Sequence, residues 1–311
     1  MGAALALEFG MQLPIQAQST YFVEPWEKAA DRDELAAVVR TCEAAGFAYV
    51  AVCDHVAIPR DKAMAMSTTW FDTISTLSWI AGFTHRVKLL SHVYVPAYRH
   101  PLAVAKAWAT LDFLSGGRAI LGVGSGHVEA EFAALGVPFH ERGRLTDEAI
   151  DSVRRYLADE WAAGDLGQQP RPVQLGGIPI WIGGSSPAAI RRAAERGDGW
   201  LPQGTPKKEM PAAIARIDEL RAAAGRHNSF TVGAITPFFW VTDGDGQPSW
   251  DTGEGCLAGT PERIANYLRG YVDMGVDQVQ VRFRSRSRIE LCDQIAAFAS
   301  DVAPLVNGAL A

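Results

Sequence analysis

The chain has 311 residues, 48% of them hydrophobic and 21% charged, and a formal net charge of −6. This is globular composition with ample material for a core, and the acidic balance without basic stripes argues against a nucleic-acid partner. The four cysteines, Cys42, Cys53, Cys256 and Cys292, form no Cys-x-x-Cys pair, so neither a metal site nor a disulfide framework is expected. The first residues carry no signal-peptide pattern and no apolar run is long enough to span a bilayer. The expectation is a soluble, cytoplasmic protein.

In chain order, Leu7 to Leu13 form a first strand candidate, ended by Pro14. Leu35, Val38, Val39, Cys42 and Ala45 recur at helical spacing and predict a helix over 31–45, stopped by Gly46. Tyr49-Val50-Ala51-Val52-Cys53 reads as a buried strand that ends in Asp54-His55. A polar loop, a helix over 70–83 and a third strand over 87–95 follow. Pro101 suits the first position of the next helix, and Gly116-Gly117 supplies its stop. Strand four, Ala119-Ile120-Leu121-Gly122-Val123, delivers Gly124-Ser125-Gly126-His127 to its C-terminal end.

The second half continues the alternation. Leu145, Ala149, Val153, Leu157 and Trp161 stripe a long helix, and a polar connection leads to strand five over 178–184. A helix over 187–196, a short strand over 199–202, a helix over 210–224 and a strand within 230–241 come next. Turn residues Asp243-Gly244-Asp245-Gly246 open a Gly-rich loop that runs to Gly259. A helix over 260–274, strand eight over 277–283 and a helix over 289–302 close the chain. Strand–helix alternation without hairpin signals implies parallel strands joined by right-handed crossovers. Eight units are the count of an α/β fold of (β/α)8 TIM-barrel type, here taken as one domain over 1–311 with loop insertions. A doubly wound sheet would need a Gly-rich fingerprint after strand one, and Gln12-Leu13-Pro14-Ile15 is not one.

In a barrel, residues at the C-terminal ends of strands share one basin. Gly183-Gly184-Ser185-Ser186-Pro187 places two glycines, a capping serine and a first-position proline at the start of a helix. That pattern serves either a phosphate cradle or an ordinary capped turn, and its place late in the barrel favours the cradle. Asp54-His55 offers a proton-exchanging imidazole beside a carboxylate, or a structural pair at a strand end, since neighbouring residues on a strand face opposite ways. Ser125, Gly126 and His127 form either a ligand-binding turn or a plain strand exit. His92 reads as a core histidine, and Glu129 and Glu131 as acids complementing a helix dipole. Trp70, Trp79 and Trp108 read as packing or subunit-contact residues, and Arg282 and Arg284 as salt-bridged rim residues. Local chemistry alone supports a barrel enzyme with a phosphorylated ligand.

Several stretches together resemble the bacterial luciferase-like monooxygenase superfamily, in its coenzyme F420-dependent oxidoreductase branch. They are Gly46-Phe47-Ala48-Tyr49-Val50-Ala51-Val52-Cys53-Asp54-His55, Tyr98-Arg99-His100-Pro101-Leu102-Ala103-Val104-Ala105-Lys106, and Thr110-Leu111-Asp112-Phe113-Leu114-Ser115-Gly116-Gly117-Arg118. Leu121-Gly122-Val123-Gly124, Leu135-Gly136-Val137-Pro138-Phe139, Glu141-Arg142-Gly143-Arg144, Gly183-Gly184-Ser185 and Gly197-Asp198-Gly199-Trp200 complete the set. The resemblance covers most of the chain to about Pro202 and implies hydride transfer between a deazaflavin, F420, and a small organic substrate. FMN is the alternative cofactor, in a two-component monooxygenase fed by a separate reductase; a flavin-binding protein without turnover is a second alternative. By resemblance, His55 faces the ring and accepts the substrate proton or orients the substrate; shared placement at strand ends adds Asp54 among the neighbours that orient it and His127 as an assistant. His92–Val93 matches a non-prolyl cis peptide behind the ring, Ser125 and Gly126 meet the ring's polar edge, and Gly183, Gly184, Ser185 and Ser186 hold the phosphate. The family's sugar-phosphate dehydrogenase carries an acid where this chain has His127, which argues against that substrate. A homodimer through the helices over 70–83 and 101–114 is also implied.

Overall fold

The computed structural model describes residues 6–242, 248 and 250–308. Nine strands are found there: β1 (Glu8–Gln12), β2 (Tyr49–Val52), β3 (Lys88–Ser91), β4 (Ala119–Val123), β5 (Ile180–Ile182), β6 (Gly199–Trp200), β7 (Thr231–Val241), β8 (Cys256–Gly259) and β9 (Gln278–Phe283). β1 to β7 pair in sequence, all parallel, and β9 joins β7 back to β1. Eight strands thus close a (β/α)8 barrel, the architecture the alternating pattern predicts. The ninth, β8, is the departure. It pairs with the upper part of β7 at Phe238–Val241, while β6 pairs lower down at Thr231 and Val232. The exposed upper edge of a long strand recruits a segment whose polar, Gly-rich lead-in reads locally as loop. The turn expected at Asp243-Gly244-Asp245-Gly246 lies outside the described residues.

The helices follow their caps. α1 (Arg32–Ala44) starts at Asp31, whose carboxylate accepts from Asp33 N and Glu34 N, while Glu34 reaches back in a capping box. α2 (Ala63–Met66) is a single turn within the loop after β2. α3 (Thr73–Ala81) begins later than the apolar pattern suggests, because Asp72 caps it through Ser75 N. α4 (Pro101–Ser115) and α5 (Glu129–Ala134) follow β3 and β4, and α6 (Arg142–Ala158) precedes the polar connection. Ser186 and Pro187 start α7 (Pro187–Arg196), and Gly116 in the left-handed region ends α4. α8 (Met210–Ala223) and α9 (Pro261–Val272) occupy the expected places. The closing helix breaks into α10 (Arg288–Ala297), a π-helical turn at Phe298–Val302 and α11 (Ala303–Asn307). Phe298 sits at that turn within 5.0–6.2 Å of the rings of Phe9, Phe47, Phe239 and Phe283.

Two cores result from the strands' alternation. Side chains facing outward, such as Val50, Val52, Leu89, Val279 and Val281, pack beneath the helices. Those facing inward, Tyr49, Ala51, Leu90, Ile120, Trp181 and Leu201, fill the barrel. Closure leaves little room inside, so bulky residues face missing ones. A Cβ on Gly10 would fall 2.1 Å from Tyr49 Cζ, and one on Gly122 would fall 1.9 Å from the Ser91 carbonyl oxygen. Among the described residues no helix is long and apolar enough to cross a membrane. Because the atom opposing Gly122 is backbone and cannot swing aside, Gly122→Ala is expected to cost about 2 kcal/mol through overpacking. The check is a urea titration, in which the midpoint should fall while the slope is unchanged.

Candidate active site

The C-terminal ends of β2, β3 and β4 bring the first group together. His55 Nδ1 lies 2.8 Å from Glu131 Oε2, and the same carboxylate accepts from Val56 N (2.7 Å), Ala57 N (3.1 Å) and the Tyr98 hydroxyl (3.3 Å). Burial by itself raises this acid's pKa. The hydrogen bond and charge of His55 and the two backbone N–H groups more than offset it and hold Glu131 below the usual carboxylate range. An ionised carboxylate only accepts, so Nδ1 carries the proton and donates. His55 Nε2 then remains, with no hydrogen-bond partner among the described residues. The Trp70 ring lies 4.3 Å from the imidazole and the His127 ring 5.5 Å away. His127 keeps contact with solvent, and partial desolvation of its ring, followed by the proximity of His55, lowers its pKa.

Asp54 does not orient His55. Its oxygens take both Nη atoms of Arg99 at 2.7 and 2.8 Å and the Val95 amide at 2.9 Å, and Arg99 stacks 4.4 Å over the Tyr94 ring. The period-two geometry of a strand end sends the two side chains apart. Glu131, expected only to complement a helix dipole, is the orienting acid. Trp70, expected to be a packing residue, stands against the imidazole. A signal for Glu131 does exist in the sequence. It lies three residues after Val128 and next to Phe132, both fully buried, and so falls on the apolar face of α5, whereas Glu129 is exposed.

The second group lines the mouth at β3, β4 and β5. The His92–Val93 peptide is cis. His92 is buried, with Nε2 3.1 Å from Leu201 O and Nδ1 3.4 Å from Gln280 Nε2; burial pushes its pKa down to about 4. Val93 is keyed between two glycines, since a Cβ on Gly124 or Gly183 would fall 2.3 or 2.4 Å from its methyl carbons. Gly183 therefore makes room for Val93 as well as ending the strand. Ser125 and Gly126 follow Gly124, both half-buried and with no protein acceptor for their N–H groups among the described residues.

The third group is the 183–186 turn. Ser186 Oγ caps α7 by accepting from Ala189 N (3.2 Å), Ser185 Oγ meets Thr205 Oγ1 (2.6 Å), and Gly184 has φ +92°. The N–H groups of Gly184, Ser185 and Ser186 find no protein acceptor among the described residues. Together with the first turn of α7 they form an exposed, electropositive cradle that fits a phosphate. All three groups stand at the C-terminal ends of strands, as the resemblance implies. Among the described residues no cluster of three His, Cys, Asp or Glu could hold a metal ion.

A closed α/β barrel with an acid-anchored histidine and a turn of free N–H groups at one mouth has the layout of a barrel enzyme. The chain belongs to the luciferase-like monooxygenase family, a family of oxidoreductases, whose model matches residues 7–247. A Mycobacterium tuberculosis protein of unassigned function is 30% identical over 225 residues, 67% of this chain and 78% of its own length. The 5,10-methylenetetrahydromethanopterin reductase of Methanopyrus kandleri is 29% identical over 237 residues, 68% of this chain and 64% of that protein. Among solved structures, monooxygenase RslO1 from Streptomyces bottropensis superposes with a TM-score of 0.78 at 19% identity, covering 96% of this chain and 99% of that one. The F420-dependent tetrahydromethanopterin reductase from Methanopyrus kandleri gives 0.72 at 22% identity with the same coverage.

The histidine within the barrel yields a pH prediction. Its folded pKa, about 4, lies below the ordinary imidazole value of 6.5, so the unfolded chain binds the extra proton first as pH falls. Stability contributed by neutral His92 is complete above about pH 6.5 and is lost on descending towards pH 4, by about 3 kcal/mol in all. Urea titrations across that range should show the wild type losing this increment relative to His92→Gln.

Proposed function

We propose that this protein binds the deazaflavin F420 and transfers hydride between it and a small organic substrate. The observation that carries the reading is the imidazole of His55, fixed through Nδ1 by buried Glu131 and left with a free Nε2 at the barrel mouth. Likeness to the Methanopyrus kandleri methylenetetrahydromethanopterin reductase across 68% of the chain, and to the fold of that organism's F420-dependent tetrahydromethanopterin reductase, supports the choice of cofactor. When bound, the deazaflavin supplies a carbon centre that exchanges electrons in pairs. This chain's residues provide the rest. The 184–186 turn holds the phosphate, Ser125 and Gly126 offer N–H groups to a polar ring edge, and the cis His92–Val93 peptide with Val93 forms a fixed wall. His55 Nε2 takes the proton released when a substrate hydroxyl is oxidised, or returns it in the reverse direction. Glu131 fixes the tautomer and stabilises the charge that develops on the ring. Trp70 and Tyr98 shield that position from water.

The test is titration of the protein with F420 and, separately, with FMN, followed by fluorescence. F420 should bind with a dissociation constant on the order of micromolar. Tight FMN binding with no response to F420 would replace the reading by an FMN monooxygenase served by a separate reductase. Ser186→Asp keeps the helix cap but puts a negative charge into the cradle, and should weaken F420 binding at least ~10-fold. His55→Ala should leave that affinity in place and lower turnover ~100-fold in a screen of organic substrates with saturating cofactor. Unchanged turnover would remove His55 from its role, and no turnover by the wild type would leave a flavin-binding protein.

We further propose a cytoplasmic homodimer. Trp79 on α3 and Phe113 and Leu114 on α4 are 38%, 56% and 64% exposed, an apolar face that a second copy would cover. Sedimentation should give twice the chain mass at micromolar concentration; a monomer throughout would exclude it.

A further inference from the structure

The barrel's inner wall carries a column of polar side chains on β9, Gln278, Gln280 and Arg282, rising from the interior to the mouth. Gln278 and Gln280 are fully buried. Arg282 stands at the top. Of the other buried or half-buried arginines, Arg99, Arg118 and Arg192 are well met, whereas Arg221 donates to Asn228 O and also keeps one buried group, Nη1, without an acceptor. Arg99 is bidentate on Asp54, Arg192 pairs with Asp147, and Arg118 donates to Ser115 O, Thr84 Oγ1, Val87 O, Ala81 O and Thr84 O. Arg284, two residues on from Arg282, pairs with Glu24 at 3.0 Å. Among the described residues Arg282 has no carboxylate partner. Its one hydrogen bond runs from Nη2 to Gln12 Oε1 at 2.6 Å, and its Nε is buried without an acceptor. The rings of Phe22 (4.2 Å) and Phe238 (6.0 Å) flank the guanidinium.

Arg282 is half-buried; its Nε is shut off from water with no acceptor, and with no carboxylate beside it among the described residues, burial brings its pKa down to about 10. Beside it lies a cavity of about 40 Å3, lined by Gln12, Leu13, Phe22, Phe238 and Ser285. That is a little more than the share of one water molecule, and enough for a small polar head group. Glu27 also borders the cavity, but its oxygens accept from Ile15 N (2.7 Å) and Glu24 N (2.9 Å), and it forms no ion pair with Arg282. The cavity communicates with the platform of the mouth through side chains. Gln280 Nε2 lies 3.4 Å from both Gln12 Oε1 and His92 Nδ1, and Gln280 Oε1 is buried with no donor.

We propose that Arg282 recognises the carboxylate of an organic-acid substrate, in the cavity beside Gln12 and Phe22. This rests on the reading of the mouth as an oxidoreductase site and names the substrate class for it. The planar fork accepts two carboxylate oxygens, the flanking aromatic rings keep the pair dry, and the remainder of the substrate extends over the mouth towards His55. Arg282 is a specificity residue, with no part in moving the proton.

The experiment compares matched probes, propionate with propionamide and benzoate with benzamide, by calorimetry on the full chain in low-chloride buffer, with and without F420. The wild type should bind each carboxylate ~10-fold or more tighter than its amide. Arg282→Gln should abolish that preference while retaining its F420 affinity, and Arg282→Lys, which keeps the charge but loses the fork, should retain part of it. Equal affinity for acid and amide, no carboxylate binding to the wild type, or an undiminished preference in Arg282→Gln overturns the proposal. Because the comparison is also made without F420, failure to bind that cofactor would sink the functional reading separately.

Discussion

One carboxylate ties the mouth together. Glu131, on the short helix after β4, reaches the loop after β2 through His55, Val56 and Ala57 and the loop after β3 through Tyr98. A buried charge is costly unless its lone pairs are met, and here four donors meet them. The same contacts that make the ion tolerable fix three loops in register with one another. They also dictate which imidazole nitrogen is free. Loop placement, tautomer and local charge are therefore one constraint rather than three.

Below that tie, the barrel sets the spacing. Tyr49 and Trp181 meet edge to face at 5.7 Å inside it, and the glycines opposite such residues leave the strands room to close. Val93 between Gly124 and Gly183 repeats the device at the rim, where three strand ends approach one another. Shape at the mouth is thus inherited from packing beneath it, and the polar side chains are added to a wall already determined.

The alternation of apolar runs with amphipathic stretches made the barrel legible, because a strand buried on both faces and a helix striped on one leave different periods. The capping residue Ser186, followed by Pro187, marked a helix start for the same local reason. What depends on contacts between distant segments was less visible. Asp54 and His55 are adjacent in the chain, yet Asp54 serves Arg99 and His55 is served by Glu131, 76 positions away. Arg282 and Arg284 look alike in sequence, and only the fold gives one of them Glu24 and leaves the other without an acid among the described residues. The strand β8 exists because β7 outgrows β6, a matter of edge length that local composition does not encode.

The turn at 183–186 has a consequence for how such a molecule can change. Among the described residues no hydrogen bond or ion pair connects it to the loops at 54–57 or 125–131. The 183–186 turn and the loops around His55 are therefore joined through packing, by way of Val93 and the barrel wall, rather than through polar contacts. A substitution that breaks a polar contact in one segment thus has no hydrogen bond among the described residues through which to shift the other.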